Sequence, residues 1–348
     1  MTIILFVLVL LVTVIAHEWG HFIAARKCGM QVDEFGFGIP PRLWSWKKGE
    51  TRYSVNALPI GGFVKIAGEN GAEDGADAAP RHRQFDTKPW WQKSIVLVAG
   101  VVCNIILAIV LFTISFMIGV PTYAPDGVPT VISITPEYPA AVAGIMPSDL
   151  VTDVQIGSRS LPVFTTTELR RAINTTQSDV TISYTRGGIS HTAVVAPKDT
   201  PQGRLIGLDI ETVRTVQYPF FSAVQNAWHK TIDIVGEIFR VIGGLFTGTT
   251  ARQNLAGPVG LARSVGVAAT MGIAYLIAFT AAISVNLAVL NILPFPALDG
   301  GRLVIVLLEA IFRRRFSQTV VGIIHTVGFV ILLGLMVILT VGDIRSLF

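Results

Sequence analysis

Two histidines and a glutamate near the start of the chain have the spacing of a metal-binding motif. In the segment His17-Glu18-Trp19-Gly20-His21 the histidines are four residues apart, so on a helix both rings can reach one ion from the same face. Glu18 lies on the flank of that face, within reach of an attacking water molecule. The pattern H-E-x-x-H is typical of sites in which the histidines bind zinc and the glutamate is the general base. The alternative is a pair of buried histidines hydrogen-bonded to neighbouring helices.

The helix that must carry this motif is apolar. An uninterrupted hydrophobic run extends from Thr2 past the motif to Ala25 and is closed by Arg26-Lys27. Its length of about 24 residues is sufficient to cross a hydrocarbon core of ~30 Å. A charged side chain near the centre of such a helix costs about 2 to 3 kcal/mol, which makes a functional role the default explanation for the motif.

The composition is that of a membrane protein. Of 348 residues, 51% are hydrophobic and only 14% are charged, and the mean hydropathy is +0.60. No long basic run with interleaved aromatic residues occurs, so nucleic acid is not an expected partner, whereas the lipid bilayer is. The two cysteines, Cys28 and Cys103, exclude a disulfide framework and a cysteine-based metal site.

The hydropathy pattern predicts four transmembrane helices, at residues 1–26, 94–119, 271–293 and 320–342. Lys and Arg are concentrated in the polar segments 27–93 and 294–319. The positive-inside rule places these two segments on the cytoplasmic side, and both chain ends and residues 127–212 on the other side. Residues 213–270 are expected to form amphipathic helices and a connector, with a helix break at Asn254–Val259.

A second motif follows the third predicted transmembrane helix. The chain reads Asn291-Ile-Leu-Pro294-Phe-Pro296-Ala-Leu-Asp299-Gly-Gly, where the prolines end the helix and the glycines free the backbone. Broken backbone at membrane depth is tolerated where it is buried in protein or lines a watery cavity. Asp299 is therefore a candidate third zinc ligand, leaving one coordination position open, as in catalytic sites. Asn291 is a candidate hydrogen-bond donor to a substrate carbonyl. An ordinary turn aspartate is the alternative for Asp299.

The first polar segment contains a β-prone stretch from Thr51 to Ile66, interrupted by Pro59 and by Gly61-Gly62. This pattern predicts a membrane-associated, hairpin-like loop. Two interpretations remain open: a plain surface hairpin, or a strand edge that pairs with an extended substrate beside the metal. Residues 67–88 are polar, rich in Gly and Ala, and expected to be mobile.

Residues 127–212 predict a small β-rich domain inserted between the second and third transmembrane helices. The stretch from Ala140 to Asp149 and the following strand to Gly157 resemble the PDZ family, although Ser148 stands where that family usually has Gly and Ile156 where it has Asn. Such a domain would bind an exported peptide or protein tail. The alternative is that it only excludes bulky substrates.

Three other polar features have ordinary explanations. Gly100 and Asn104 lie on one helix face, where helix packing and an interhelical hydrogen bond are expected, with a role near the metal as the alternative. His325 is expected to be hydrogen-bonded inside the helix bundle. Arg302 and Glu309 are expected to be solvated or paired charges.

Taken together, H-E-x-x-H and N-x-x-P-x-P-x-L-D-G resemble the site-2 protease family of intramembrane zinc metallopeptidases. The PDZ-like segment, NLAGPVG and the four-helix layout are similar to its bacterial RseP branch. The resemblance implies an α-helical polytopic membrane protein in which His17, His21 and Asp299 bind Zn²⁺ and Glu18 activates water. It also implies a substrate-handling role for Asn291. Many members of the branch carry two tandem PDZ domains, whereas this chain has room for one.

The predicted function is therefore hydrolysis of a peptide bond in or beside a transmembrane helix of single-span membrane proteins, in the bacterial cytoplasmic (inner) membrane. The resemblance favours an anti-sigma factor or a signal-peptide remnant as substrate. The Gly/Pro-rich elements, Gly61, Gly62, Pro294 and Pro296, are expected to receive the unwound substrate. Two rivals are a membrane adaptor with a vestigial metal site and a zinc transporter, which would need a ligand path across several helices.

Overall fold

A computed structural model describes residues 2–69, 71, 78–135, 137–157, 159–161, 165–174, 178–200, 203–247 and 257–345. Its helices are α1 Thr2–Lys27, α2 Trp90–Ile118, α3 Pro139–Val142, α4 Thr166–Asn174, α5 Phe220–Thr247, α6 Pro258–Thr270, α7 Ile273–Ile292, α8 Asp299–Phe312 and α9 Gln318–Arg345. Its strands are β1 Val32–Lys48, β2 Thr51–Ile66, β3 Val120–Ile134, β4 Leu150–Ile156, β5 Arg159–Leu161, β6 Val180–Arg186, β7 Ile189–Val195, β8 Lys198–Thr200, β9 Gly203–Leu205 and β10 Leu208–Val216. The expected helix break at 254–259 and the expected mobile stretch 67–88 lie partly outside the described residues.

Among the described residues, four helices are long and apolar enough to cross a membrane: α1, α2, α7 and α9. The expectation of four such helices is confirmed. A helix satisfies its own backbone hydrogen bonds, which an apolar segment in lipid requires. The segment 294–319, expected to be a loop, contains the 14-residue helix α8, which begins at the candidate ligand Asp299.

Strands β1 and β2 both bend, and their four halves form one small mixed sheet, in which residues 34–37 pair antiparallel with 62–65 and parallel with 52–55. Phe35 pairs with both Val64 and Tyr53, while Trp46 pairs with Tyr53 from the other side. The order across the sheet is therefore 61–66, 32–39, 51–56 and 42–48, and residues 61–66 form one edge. The hairpin-like segment 51–66 of the sequence prediction is β2, but its partner β1 was not predicted.

The sheet is fixed to the helices by a shared apolar core. Buried residues of α1, β1, β2, α2, α8 and the segments that connect them pack together, and they comprise Phe22, Ala24, Ala25, Met30, Val32, Ile66, Phe85, Val96, Leu97 and Val306. At roughly 25 cal/mol for each Å² of apolar surface removed from water, such a cluster holds the sheet firmly against α1. The edge strand 61–66 thereby lies beside the helix that carries the histidine motif.

Residues Ser115–Pro219 and Val267–Leu276 form a separate compact unit. Its main sheet has the strand order β10-β3-β4-β6-β7, and the core of that sheet includes the fully buried Val131, Val180, Ile182 and Ile210. The predicted β-rich region is confirmed, and its central strands include β4 at 150–156 and β6 at 180–186. Its PDZ-like character stays a prediction.

Candidate metal centre

The two motif histidines face inward from α1 and meet. His17 is 6% exposed and His21 is 9% exposed, and their Nε2 atoms are 3.1 Å apart. Asp299, the first residue of α8, brings its Oδ2 atom to 3.0 Å from Nε2 of His17 and to 3.2 Å from Nε2 of His21. Side-chain atoms from residues almost three hundred positions apart in the chain thus lie within about 3 Å of one another.

These three side chains fit a metal ion. Two ligands at ~2.0 to 2.1 Å from a tetrahedral zinc lie about 3.3 Å from each other, close to the separations found here. Oδ2 of Asp299 is buried and accepts no hydrogen bond of ordinary geometry, a costly state that a cation relieves. Among the described residues, one group of three or more His, Cys, Asp or Glu side chains has a possible ligand atom from each member within 4.8 Å of the others, and it consists of His17, His21 and Asp299.

The protonation of one ring is set by the neighbouring helix. Nδ1 of His21 donates a hydrogen bond of 2.8 Å to the carbonyl oxygen of Val96 in α2. Because a carbonyl only accepts, Nδ1 carries a proton, and Nε2 is the ring atom left to bind a metal ion beside Asp299. This is the usual arrangement by which an outer partner orients a metal-binding histidine.

The turn between α7 and α8 explains how Asp299 reaches this point. Ala297 has a left-handed backbone conformation with φ of 76°, and its N–H donates a hydrogen bond of 2.9 Å to Nδ1 of His325 in α9. A Cβ atom on Gly300 would lie 2.2 Å from the carbonyl oxygens of Ile292 and Leu293. Only glycine allows α8 to start this close to the end of α7. The expected hydrogen-bonded role of His325 is thus observed.

Helix α2 also approaches the histidines very closely. A Cβ atom built on Gly100 would lie 2.5 Å from Nε2 of His21 and 2.7 Å from Cε1 of His17. Asn104, one turn further along α2, is fully buried, and its backbone carbonyl accepts a hydrogen bond of 2.9 Å from the Ser284 hydroxyl. Both interpretations of this face are therefore observed: α2 packs closely against its neighbours, and it contacts the rings of the candidate ligands His17 and His21.

The remaining predicted site residues fall into two groups. Asn291 lies at the centre, with Nδ2 3.2 Å from Nε2 of His17, and a Cβ atom on Gly62 would lie 3.0 Å from Cγ of Glu18. By contrast, Gly61 has open space around it, and Pro296 packs against Gly328 of α9. The exposed Pro294 and Pro296 do not line the cavity described next.

A cavity of about 340 Å³ joins the histidine motif, the edge strand and Asp299. It is lined by His17, Glu18, His21, Gly62, Phe63, Val64, Lys65, Ile66, Glu69, Phe85, Val96, Leu97, Asp299 and Arg302. A carboxylate that can accept a proton, a set of metal-binding atoms and a strand edge thus face the same space. This arrangement can hydrolyse an acyl bond of an extended chain.

The fold has helices able to cross a membrane, and the site has a His-His-Asp group with Glu18 beside it but not part of it. These features are those of a membrane metallopeptidase. The chain belongs to peptidase family M50, whose family model matches residues 5–335. It is similar to the zinc metalloprotease RasP of Geobacillus kaustophilus, with 30% identity and 100% of this chain and 98% of the relative covered. It is also similar to a protein of Clostridium perfringens, named provisionally as a zinc metalloprotease, with 33% identity and 95% of both chains covered. The protein is therefore a zinc metallopeptidase.

Three residues of the site were not found from the sequence. Val96 contacts His21 through its backbone carbonyl. Every residue has such a group, so the sequence could not single out Val96. Glu69 was assigned to a mobile polar stretch and Arg302 to ordinary charges, yet the two form an ion pair on the cavity wall. One signal was available for Arg302: it follows Asp299 by three residues and therefore shares its helix face.

Proposed function

We propose that this protein cleaves transmembrane segments of single-span membrane proteins. One observation carries the proposal: the candidate ligands His17, His21 and Asp299 surround a single point, with Glu18 lining the same cavity. Both histidines and Glu18 lie on α1, which is long and apolar enough to cross a bilayer. A metal centre at membrane depth has access to peptide bonds that soluble peptidases cannot reach. Family membership supports the same conclusion.

Glu18 is the proposed general base. It takes a proton from the attacking water and passes it to the leaving amine. Zinc, when bound by His17, His21 and Asp299, supplies the Lewis acid that activates water and carbonyl. The amide of Asn291 stands beside this centre and is proposed to donate a hydrogen bond to the substrate carbonyl as negative charge develops on its oxygen.

The edge strand is the proposed substrate-binding element. Peptide bonds in a helix are shielded, so the substrate must unwind before it is cleaved. Residues 61–66 form an edge of the sheet, and an edge strand offers unpaired backbone groups to an added strand. Gly62 allows this strand to lie against Glu18 without a side chain between them. Gly61, Pro294 and Pro296 remain proposed contributors at a greater distance.

The proposed location is the bacterial cytoplasmic membrane, with the cleavage site near the cytoplasmic side and both chain ends outside. The concentration of Lys and Arg in 27–93 and 294–319 supports this orientation. Substrates of the anti-sigma factor or signal-peptide remnant type agree with it, because each type has a single apolar segment in the membrane.

Reconstitution into lipid vesicles tests the proposed function. We expect the purified protein to cleave a single-span model substrate within or beside its apolar segment, with the cleaved bond identified by mass spectrometry. A zinc chelator should abolish cleavage and added Zn²⁺ should restore it, because the centre needs its ion. Cleavage confined to soluble peptides, or cleavage unaffected by chelation, would contradict the proposal.

The β-rich unit is proposed to bind a peptide tail in a groove of about 270 Å³. One side of the groove is formed by α4 and the other by residues 204–209. Arg170 is exposed on the α4 side, and a guanidinium there suits a terminal carboxylate. Apolar groups from Leu169 and Ile173 line the floor, which suits an apolar last residue.

A charge reversal at the groove tests this role. We expect Arg170→Glu in the full-length protein to weaken binding of a labelled peptide with an apolar last residue and a free carboxylate by about tenfold, or ~1.4 kcal/mol. An amidated peptide should bind the unaltered protein equally weakly. The neighbouring Arg171 does not line the groove, so Arg171→Glu is the matched control. Equal effects of both variants, or no binding at all, would leave a size filter as the explanation.

A further inference from the structure

An ion pair closes the wall of the metal cavity between two elements that are distant in sequence. The guanidinium of Arg302 in α8 contacts the carboxylate of Glu69, which follows β2. Both side chains are partly shielded, at 36% exposed for Arg302 and 20% for Glu69. Both line the metal cavity and also an adjoining cavity of about 260 Å³.

Glu69 is held firmly relative to the edge strand. Its N–H donates to the carbonyl of Ile66, the last residue of that strand, at 3.2 Å. Ala67 between them is fully buried; its N–H donates to the carbonyl of Gln31 and its carbonyl accepts from the N–H of Phe85. The backbone of Glu69 is therefore tied to residues 61–66 through a hydrogen-bonded turn.

Arg302 is held equally firmly relative to the metal-binding carboxylate. It lies three residues after Asp299 on the same helix face, and its N–H donates to the carbonyl of Leu298 at 3.2 Å. The ion pair therefore connects the strand proposed to receive the substrate with the helix that carries Asp299. The edge strand is also held by its pairing with residues 32–39 of β1 and by Ile66, which is buried in the apolar core shared with α1 and α2.

We propose that Glu69 and Arg302 are positioning residues that set the register of the bound substrate against the metal centre. This inference rests on the proposed function of the edge strand. A substrate added to residues 61–66 follows the position of that strand. A displacement of about 1 Å therefore moves the scissile bond away from Glu18, at a cost of about a hundredfold in rate.

Removing either charge therefore has a defined kinetic result. In Glu69→Gln and Arg302→Gln we expect kcat to fall about tenfold to a hundredfold with a smaller change in KM, since strand pairing still binds the substrate. Mass spectrometry of the products should show cleavage spread to bonds one or two residues away, because register is no longer fixed. The zinc content should equal that of the unaltered protein.

A charge exchange separates positioning from a general loss of structure. We expect the double variant Glu69→Arg with Arg302→Glu to recover most of kcat and a single cleavage position. The matched control is the pair Arg83–Glu50, with contacts of 2.6 and 2.8 Å, which also anchors the sheet but does not line the cavity. Glu50→Gln should leave kcat and the cleavage position unchanged.

Two results would overturn the inference: an effect of Glu50→Gln equal to that of Glu69→Gln, or unchanged kcat and cleavage position in both cavity variants. An exchange variant no better than the single variants would also count against it if its zinc content and thermal unfolding match those of the unaltered protein. Failure of the proposed function appears differently, as absence of cleavage by the unaltered protein in the same vesicles.

Discussion

Glu18→Gln is expected to abolish peptide-bond cleavage while leaving zinc bound. The amide has the shape of the carboxylate but cannot take a proton from water, and loss of a general base costs about 10² to 10⁴ in rate. Zinc should remain because the three atoms that meet at one point belong to His17, His21 and Asp299, not to Glu18. The measurement is turnover of the single-span substrate in vesicles, together with zinc content by elemental analysis.

The control for this prediction is another glutamate-to-glutamine change. Glu50 lies at the hairpin turn, paired with Arg83, and does not line the cavity, so Glu50→Gln makes the same change of charge and side-chain chemistry outside it. Its turnover should be that of the unaltered protein. Retained turnover in Glu18→Gln would remove the glutamate from the mechanism and leave the metal centre without an identified base.

The helices could be predicted from the sequence because their signal is local. A run of apolar residues long enough to cross a bilayer identifies α1, α2, α7 and α9 without knowledge of any partner. Strand β1 could not be found in this way. Its residues 39–48 combine Pro40-Pro41 with Lys and Trp, a pattern that reads as a surface loop until residues 51–56 are placed beside them.

In the candidate site, too, some residues could be predicted from local sequence signals and others only from contacts between distant segments. His17 and His21 could be predicted as ligands from their spacing on one helix. Asp299 could be predicted from the prolines before it and the glycines after it, which indicate broken backbone at membrane depth. The contacts of Val96 and Glu69 depend on which helix and which turn come to lie against the motif. Such tertiary contacts leave no periodic pattern in the chain, and the polar composition around Glu69 favoured a mobile segment instead.

The geometry of the site argues against both rival functions, the zinc transporter and the membrane adaptor. A zinc transporter needs a succession of ligand sets along a path through the membrane, but the described residues contain one such set. An adaptor with a vestigial site has no need for ligand atoms arranged around one point, nor for a glutamate beside them. The family assignment and the relatives named as zinc metalloproteases agree with an enzyme.

The second large effect is expected from the smallest possible addition to α2. In Gly100→Ala the new methyl group would lie 2.5 Å from Nε2 of His21 and 2.7 Å from Cε1 of His17, distances that no folded protein tolerates. Either the rings rotate away or α1 and α2 separate. We expect zinc affinity to fall by about 10- to 100-fold, the range seen when the surroundings of metal-binding histidines are altered, and cleavage to fall with it.

Gly100→Ala should by itself stabilise helix α2, so a loss of zinc affinity cannot be explained by a weaker helix. Alanine stabilises a helix interior relative to glycine by roughly 0.5 to 1 kcal/mol, so α2 itself is not weakened. Gly334→Ala in α9 is the matched control, because nothing lies within 4 Å of its added Cβ atom. Zinc retention against a competing chelator and vesicle turnover should both match the unaltered protein in that control. Normal zinc retention in Gly100→Ala would show that α2 does not press on the histidines, and the tight α1–α2 contact would lose its role in holding the metal-binding rings.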